Sequence, residues 1–134
     1  METAPDLRRR QSDAYLRDCP SREILDLVAN RWTALVVGAL VEGPLRFCQL
    51  RRRVEGISQK VLTQNLRALE RDGMVRRAVY PTTPPSVEYS LTELGEGVGR
   101  HLVALRGWVE AHLPQMHAAR AAYDARAGQV EPEE

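Results

Sequence analysis

The stretch Gly56-Ile57-Ser58-Gln59-Lys60-Val61-Leu62-Thr63-Gln64-Asn65-Leu66-Arg67-Ala68-Leu69-Glu70-Arg71-Asp72-Gly73 decides the fold of this chain. Gly56 supplies a turn, Ser58 is a favoured helix N-cap, and Gly73 stops what lies between. Val61, Leu62, Leu66 and Leu69 recur with helical spacing. Lys60, Gln64, Arg67 and Arg71 fall on the other side at intervals of 4, 3 and 4, with Gln59 and Thr63 alongside. The spacing predicts a helix from Ser58 to about Asp72 with one apolar and one polar face.

Working upstream, Ser21 is a candidate cap for a helix carrying Ile24, Leu25, Leu27 and Val28, and Asn30-Arg31 marks a break. Trp32, Leu35, Val36, Ala39 and Leu40 then follow the pattern of a core-facing helix, which Gly43 and Pro44 end. A short helix from Phe47 to Val54 is expected to bury Phe47, Leu50 and Val54. Downstream, Met74–Tyr80 and Ser86–Leu91 have strand character around a tip of prolines and threonines, Pro81–Pro85, and predict a hairpin. Thr92 is placed to cap a long helix bearing Leu94, Val98, Leu102, Leu105, Trp108 and Val109, close to a heptad seam; His101 is the alternative to Leu102. Pro114 is expected to kink or restart it, leaving a weaker helix from Gln115 to Arg126.

A core helix, a short helix, a glycine turn, a longer two-faced helix and a hairpin form the order of a winged helix-turn-helix, a mainly α fold with a small β wing. A helix about 10–12 Å across fits the major groove of B-form DNA, and the helix before it sets its angle. Ser58, Gln59, Lys60, Thr63, Gln64 and Arg67 are residue types that bond base edges or phosphates, and they occupy the first turns of the helix. Arg46, Arg52, Arg71, Arg76 and Arg77 are candidates for phosphate contacts, with the hairpin tip near the minor groove. A solvated polar face would explain any one such helix; here the turn, the hairpin and the charge agree with it.

Charge points the same way. The formal net charge is +1, yet residues 46–77 hold nine basic residues against Glu55, Glu70 and Asp72, so this segment is +6 and the rest −5. A basic face on an otherwise acidic chain concentrates polyanions, which makes double-stranded DNA the leading partner and an acidic protein surface the rival. Duplex binding separates the two through its salt dependence.

The remaining composition excludes more than it suggests. A chain of 134 residues is sized for one domain, and no apolar run approaches the ~18–20 residues of a membrane span. The start lacks a signal-peptide core, and two cysteines make no disulfide framework, so a reducing cytoplasm is expected. Residues 1–15, with Arg8-Arg9-Arg10, and the acidic residues 128–134 read as disordered tails around a body from 16 to 127. His101, His112 and His117 lack the i, i+4 spacing of a helical metal pair, and no glycine phosphate loop, nucleophile elbow or carboxylate pair suggests an enzyme or a cofactor.

Cys19-Pro20, Trp32-Thr33, Gly43-Pro44-Leu45-Arg46-Phe47, Gly56-Ile57-Ser58-Gln59-Lys60-Val61-Leu62-Thr63, Leu66, Leu69-Glu70, Asp72-Gly73, Pro84-Pro85, Val87-Glu88-Tyr89-Ser90-Leu91-Thr92 and Gly95 together resemble the HxlR family of bacterial winged-helix transcription regulators, relatives of the MarR group. The resemblance spans roughly Cys19 to Trp108. It implies a dimeric regulator, often a repressor, on a pseudo-palindromic operator, with the recognition helix starting near Ser58 and the wing between Met74 and Leu91.

Several members of that family sense electrophiles or oxidants through a cysteine near the first helix, and Cys19 matches it by position. The following helix N-terminus would favour a thiolate at Cys19 and Asp18 would oppose it, so the residues leave its reactivity open. A non-covalent small-molecule inducer is the other signal to consider. Cys48, beside Phe47, reads as a small buried hydrophobe. Trp32 and Trp108 read as core and dimer packing. The seam Leu94, Val98, Leu102, Leu105, Trp108 and Val109 is expected to pair with a second subunit, because two recognition helices about 34 Å apart read a palindrome.

Overall fold

The computed structural model describes residues 12–16 and 19–128. The tail residues before Ser12 and after Gly128, like Arg17 and Asp18, lie outside the described residues, so the arginine triplet and the acidic end are not placed. From residue 19 onward the described residues form, in order, α1 (Pro20–Val28), α2 (Arg31–Val41), β1 (Leu45–Arg46), α3 (Phe47–Arg53), α4 (Gln59–Arg71), β2 (Val75–Tyr80), β3 (Ser86–Leu91) and α5 (Glu93–Ala127).

Local chemistry accounts for most boundaries. Helix α1 starts two residues earlier than a cap at Ser21 would set it, with Cys19 at the N-cap position. Pro20 sits in its first turn, where proline's fixed φ suits the helix and its missing N–H leaves nothing unpaired. Ser21 is therefore inside the helix, and its hydroxyl donates to the Ser12 carbonyl at 3.2 Å. Arg22 reaches the carbonyls of Ala14 and Tyr15 at 3.0 and 2.9 Å, so residues 12–15, expected to belong to the tail, are tied to α1. Asn30 caps α2, its Oδ1 accepting from the Trp32 amide at 2.8 Å.

Helix α2 buries Thr33, Val36, Val37, Ala39 and Leu40, whereas Leu35, expected in the core stripe, is 37% exposed. The helix is apolar nearly all round, so 33, 36, 37 and 40 satisfy the helical period as well as 32, 35, 36 and 39 do; tertiary packing chooses between them. Leu50, Val54, Ile57, Leu62, Leu66, Leu69, Met74, Val75 and Leu102 complete this core, and Phe47, Val61 and Trp32 pack against it.

The hairpin has the expected strands, with register from Val75↔Leu91 to Tyr80↔Ser86. The sequence reading missed β1, a two-residue strand with no detectable period, which pairs Leu45 with Tyr89 and Arg46 with Glu88 and makes the sheet order β1-β3-β2. Helices beneath a small antiparallel sheet of this order are a winged helix-turn-helix fold.

The described residues divide into two compact units, one ending at Leu102 and the other beginning at Val103. In the first, Thr92 links the sheet to α5: its hydroxyl donates to the Gly73 carbonyl and accepts from the Gly95 amide. In the second, α5 continues unbroken through Pro114 rather than restarting there. Arg106 pairs with Glu110 at 3.3 Å, and Trp108 stacks on His112 with ring centroids 4.6 Å apart. Among the described residues no single helix is long and apolar enough to cross a membrane.

Candidate nucleic-acid interface

The helix-turn-helix is α3, the turn through Gly56, and α4. Gly56 has φ +92°, a conformation that costs a side-chain-bearing residue energy and glycine little. Ser58 Oγ accepts from the Val61 amide at 3.0 Å and closes the first turn of α4. Leu62, Leu66 and Leu69 are almost completely buried, and each contributes about 1.5–3 kcal/mol of burial, so the inner face of α4 is set by its leucines.

One inner residue escaped the sequence reading. Asn65 is 9% exposed and donates through Nδ2 to Thr33 Oγ1 of α2 at 2.7 Å, while Thr33 is fully buried. Its Oδ1 is buried without a hydrogen-bond partner among the described residues. Leaving such a group unpaired costs about 1–3 kcal/mol. The signal was available: 62, 65, 66 and 69 form a complete i, i+3, i+4, i+7 face, with asparagine at one corner.

The outer face carries Ser58, Gln59, Lys60, Gln64, Arg67 and Arg71 exposed, with Thr63 half-buried. Ser58's hydroxyl oxygen is engaged in the cap, leaving its hydrogen as the donor it offers outward. Thr63 and Arg67 share a crevice of about 340 Å³ with Glu70, Arg77 and Tyr89, which joins the middle of α4 to the sheet. There Arg77 Nε lies 3.6 Å from Glu70 Oε1.

Arg76 stands elsewhere. Adjacent strand residues point to opposite faces, so when Arg77 turns toward α4 its neighbour turns away. Arg76, expected with Arg77 to contact phosphates from the hairpin base, instead lines a groove of about 1130 Å³ with Ile24, Leu94, Arg100 and His101, whereas Arg77 lines the crevice beside Thr63 and Arg67. Arg46 is exposed opposite Glu88, on the side of the wing tip, and Arg52 is exposed on the last turn of α3. Its neighbour Arg53 pairs with Glu42 at 3.6 Å.

The cysteines reverse part of their expectation. Cys48 is exposed rather than buried, because the inward positions of α3 are Phe47 and Leu50, and residue 48 lies about 100° round from 47. Cys19 is 3% exposed, with Sγ 2.9 Å from Ser21 Oγ. The proposed dimer seam also divides. Leu102 is 7% exposed and belongs to the chain's own core, with Val98 packed against that core. Leu94, Leu105, Trp108 and Val109 are 63%, 56%, 54% and 41% exposed.

Comparison with known proteins identifies the family and the fold. Residues 27–117 match the model of the HxlR-like helix-turn-helix family. The chain is 48% identical over 111 residues to the uncharacterized HTH-type transcriptional regulator YtfH of Escherichia coli (strain K12), covering 83% of this chain and 88% of that one. The structure of ytfH from Salmonella typhimurium superposes with a TM-score of 0.77 at 50% identity, over 80% of this chain and 96% of that one. The redox regulator HypR in its oxidized form superposes with a TM-score of 0.64 at 39% identity, over 69% and 96% of the two chains. These are regulators rather than enzymes, and the chain belongs to the HxlR-like helix-turn-helix family as a transcriptional regulator of helix-turn-helix type.

Proposed function

We propose that the chain is a cytoplasmic homodimer that binds a pseudo-palindromic operator in double-stranded DNA and represses transcription by occupying it. The observation that carries this reading is α4 itself. One face is locked into the core by Leu62, Leu66 and the Asn65–Thr33 bond, and the opposite face presents Gln59, Lys60, Gln64 and Arg67 to solvent. That face enters the major groove, with Thr63 at its edge, while Arg77, Arg71 and Arg52 hold the backbone on either side. Arg46 meets backbone near the wing tip. Leu94, Leu105, Trp108 and Val109 supply the apolar surface between subunits.

Similarity to a redox regulator supports redox sensing, for which Cys19 is the residue we assign by its place before α1. An electrophile that adds to its sulfur cannot fit where the thiol is 3% exposed, so an adduct pushes α1 off the core and alters the dimer on which operator spacing depends.

The test is titration of the purified protein with duplex selected from a random-sequence pool, across a range of salt. Each neutralised phosphate adds about −0.9 to the log–log slope, so a dimer making several arginine contacts weakens steeply. Absence of duplex binding overturns the reading in favour of an acidic protein partner. Treatment with a quinone should weaken operator binding by wild type and spare Cys19→Ser; equal loss in both removes Cys19 as the sensor.

A further inference from the structure

Among the described residues, the Asn65–Thr33 hydrogen bond is the one side-chain hydrogen bond between α2 and α4, inside an otherwise apolar junction. Around it, Leu62, Leu66 and Leu69 of α4 meet a surface that includes Val36, Val37 and Leu40 of α2, all buried. Leucine against valine is a forgiving contact: apolar cores lose uniqueness of packing before they lose stability. A helix held only by such residues can roll about its axis and exchange one set of rotamers for another. A 2.7 Å bond between two buried groups 32 residues apart has no such freedom, because any roll leaves both groups unpaired in the interior.

The roll of α4 is what the opposite face amplifies. Gln64 precedes Asn65 and Arg67 follows it by two, so these three side chains turn as one body. Side-chain tips lie about 5–6 Å from a helix axis, and a roll of ~20° therefore carries them about 2 Å sideways. Bonds to base edges tolerate only a few tenths of an ångström. Contacts to phosphates from long arginines adapt to such a shift.

We infer that Asn65, through Thr33, is a positioning residue for sequence discrimination: it fixes the roll of α4 so that Gln64 and Arg67 meet base edges, and it contributes little to general affinity for DNA. The inference rests on the reading of α4 as the groove-binding helix. Asn65 makes no contact with DNA in this scheme, and its buried Oδ1 shows a polar side chain on a helix face whose other members, Leu62, Leu66 and Leu69, are apolar.

The test compares wild type with Thr33→Val/Asn65→Leu, which replaces both partners by apolar groups of similar size and so removes the bond without orphaning a group. Three quantities are read: urea stability, dissociation constant for a duplex selected by wild type from a random pool, and dissociation constant for an unselected duplex. The expected result is stability equal to or above wild type and unselected binding within about twofold with the same salt slope. Selected-duplex binding should be weakened at least tenfold. A selected-to-unselected ratio equal to that of wild type overturns the inference. Should the double variant fold poorly, Thr33→Val alone is to lower the ratio and Thr33→Ser, which keeps the hydroxyl, is to preserve it; equal ratios in these two overturn it as well. Wild type that binds no duplex removes the DNA-binding reading and this inference with it. Wild type that discriminates as well as the double variant removes the inference alone.

Discussion

Adding one methyl group at Gly95 should destabilise the fold, although the same change two residues later should stabilise it. Gly95 is buried where α5 leaves the sheet, and a Cβ there would collide with the Met74 carbonyl oxygen and stand 3.0 Å from the Met74 carbonyl carbon and 3.2 Å from Leu91 Cδ2. That carbonyl oxygen already accepts the Thr92 amide at 3.1 Å, so the first turn of α5 and the start of β2 cannot separate without breaking this bond. The obstacle is backbone rather than a flexible side chain, which places the cost at the upper end of overpacking, ~3 kcal/mol. Alanine regains up to ~1 kcal/mol of helix propensity over glycine, leaving Gly95→Ala about 2 kcal/mol less stable. At Gly97 nothing lies within 4 Å of the added atom, so Gly97→Ala should gain up to ~1 kcal/mol. Urea denaturation followed by circular dichroism, at one protein concentration so that any association affects both variants alike, measures both. Equal midpoints for the two variants would refute the close approach of α5 to Met74.

Arg67→Ala should cost ~1–3 kcal/mol on selected duplex and relax base preference, as read by competition with single-base variants of that duplex; binding indistinguishable from wild type would remove α4 from the groove. Glu70→Gln releases Arg77 from its 3.6 Å partner and should raise affinity for unselected duplex by up to about fivefold, the worth of a surface ion pair, while an Arg77→Ala background should abolish the gain. Leu105→Glu places a charge on an apolar residue that is 56% exposed and should yield a monomer by sedimentation at micromolar concentration; an unchanged dimer would move the subunit interface elsewhere.

The helices were legible because their signals are local. Ser58, Asn30 and Thr92 act on amides within three residues, Gly43, Gly56 and Gly73 take positive φ at the turns, and the strands of the hairpin end within a residue of where their side chains change character. Ser21 misled for a local reason too: two adjacent residues each suited a helix start, and the proline took precedence. At the interface, the polar face of α4 was visible in full. What could not be seen was which arginines join it.

The sequence by itself determined the order of elements, the two faces of α4, the basic excess between residues 46 and 77 and the resemblance to a regulator family, since each depends on residue type and on neighbours within about one helical turn. Tertiary structure alone decided the rest. It gave Arg77 to α4 and Arg76 to another groove, drew Leu102 into the core while leaving Leu105 outside, exposed Cys48, and joined Asn65 to Thr33 across 32 residues. Periodicity says that a side chain shares a face with its neighbours; which surface that face meets depends on packing between segments distant in the chain, where no local pattern reaches.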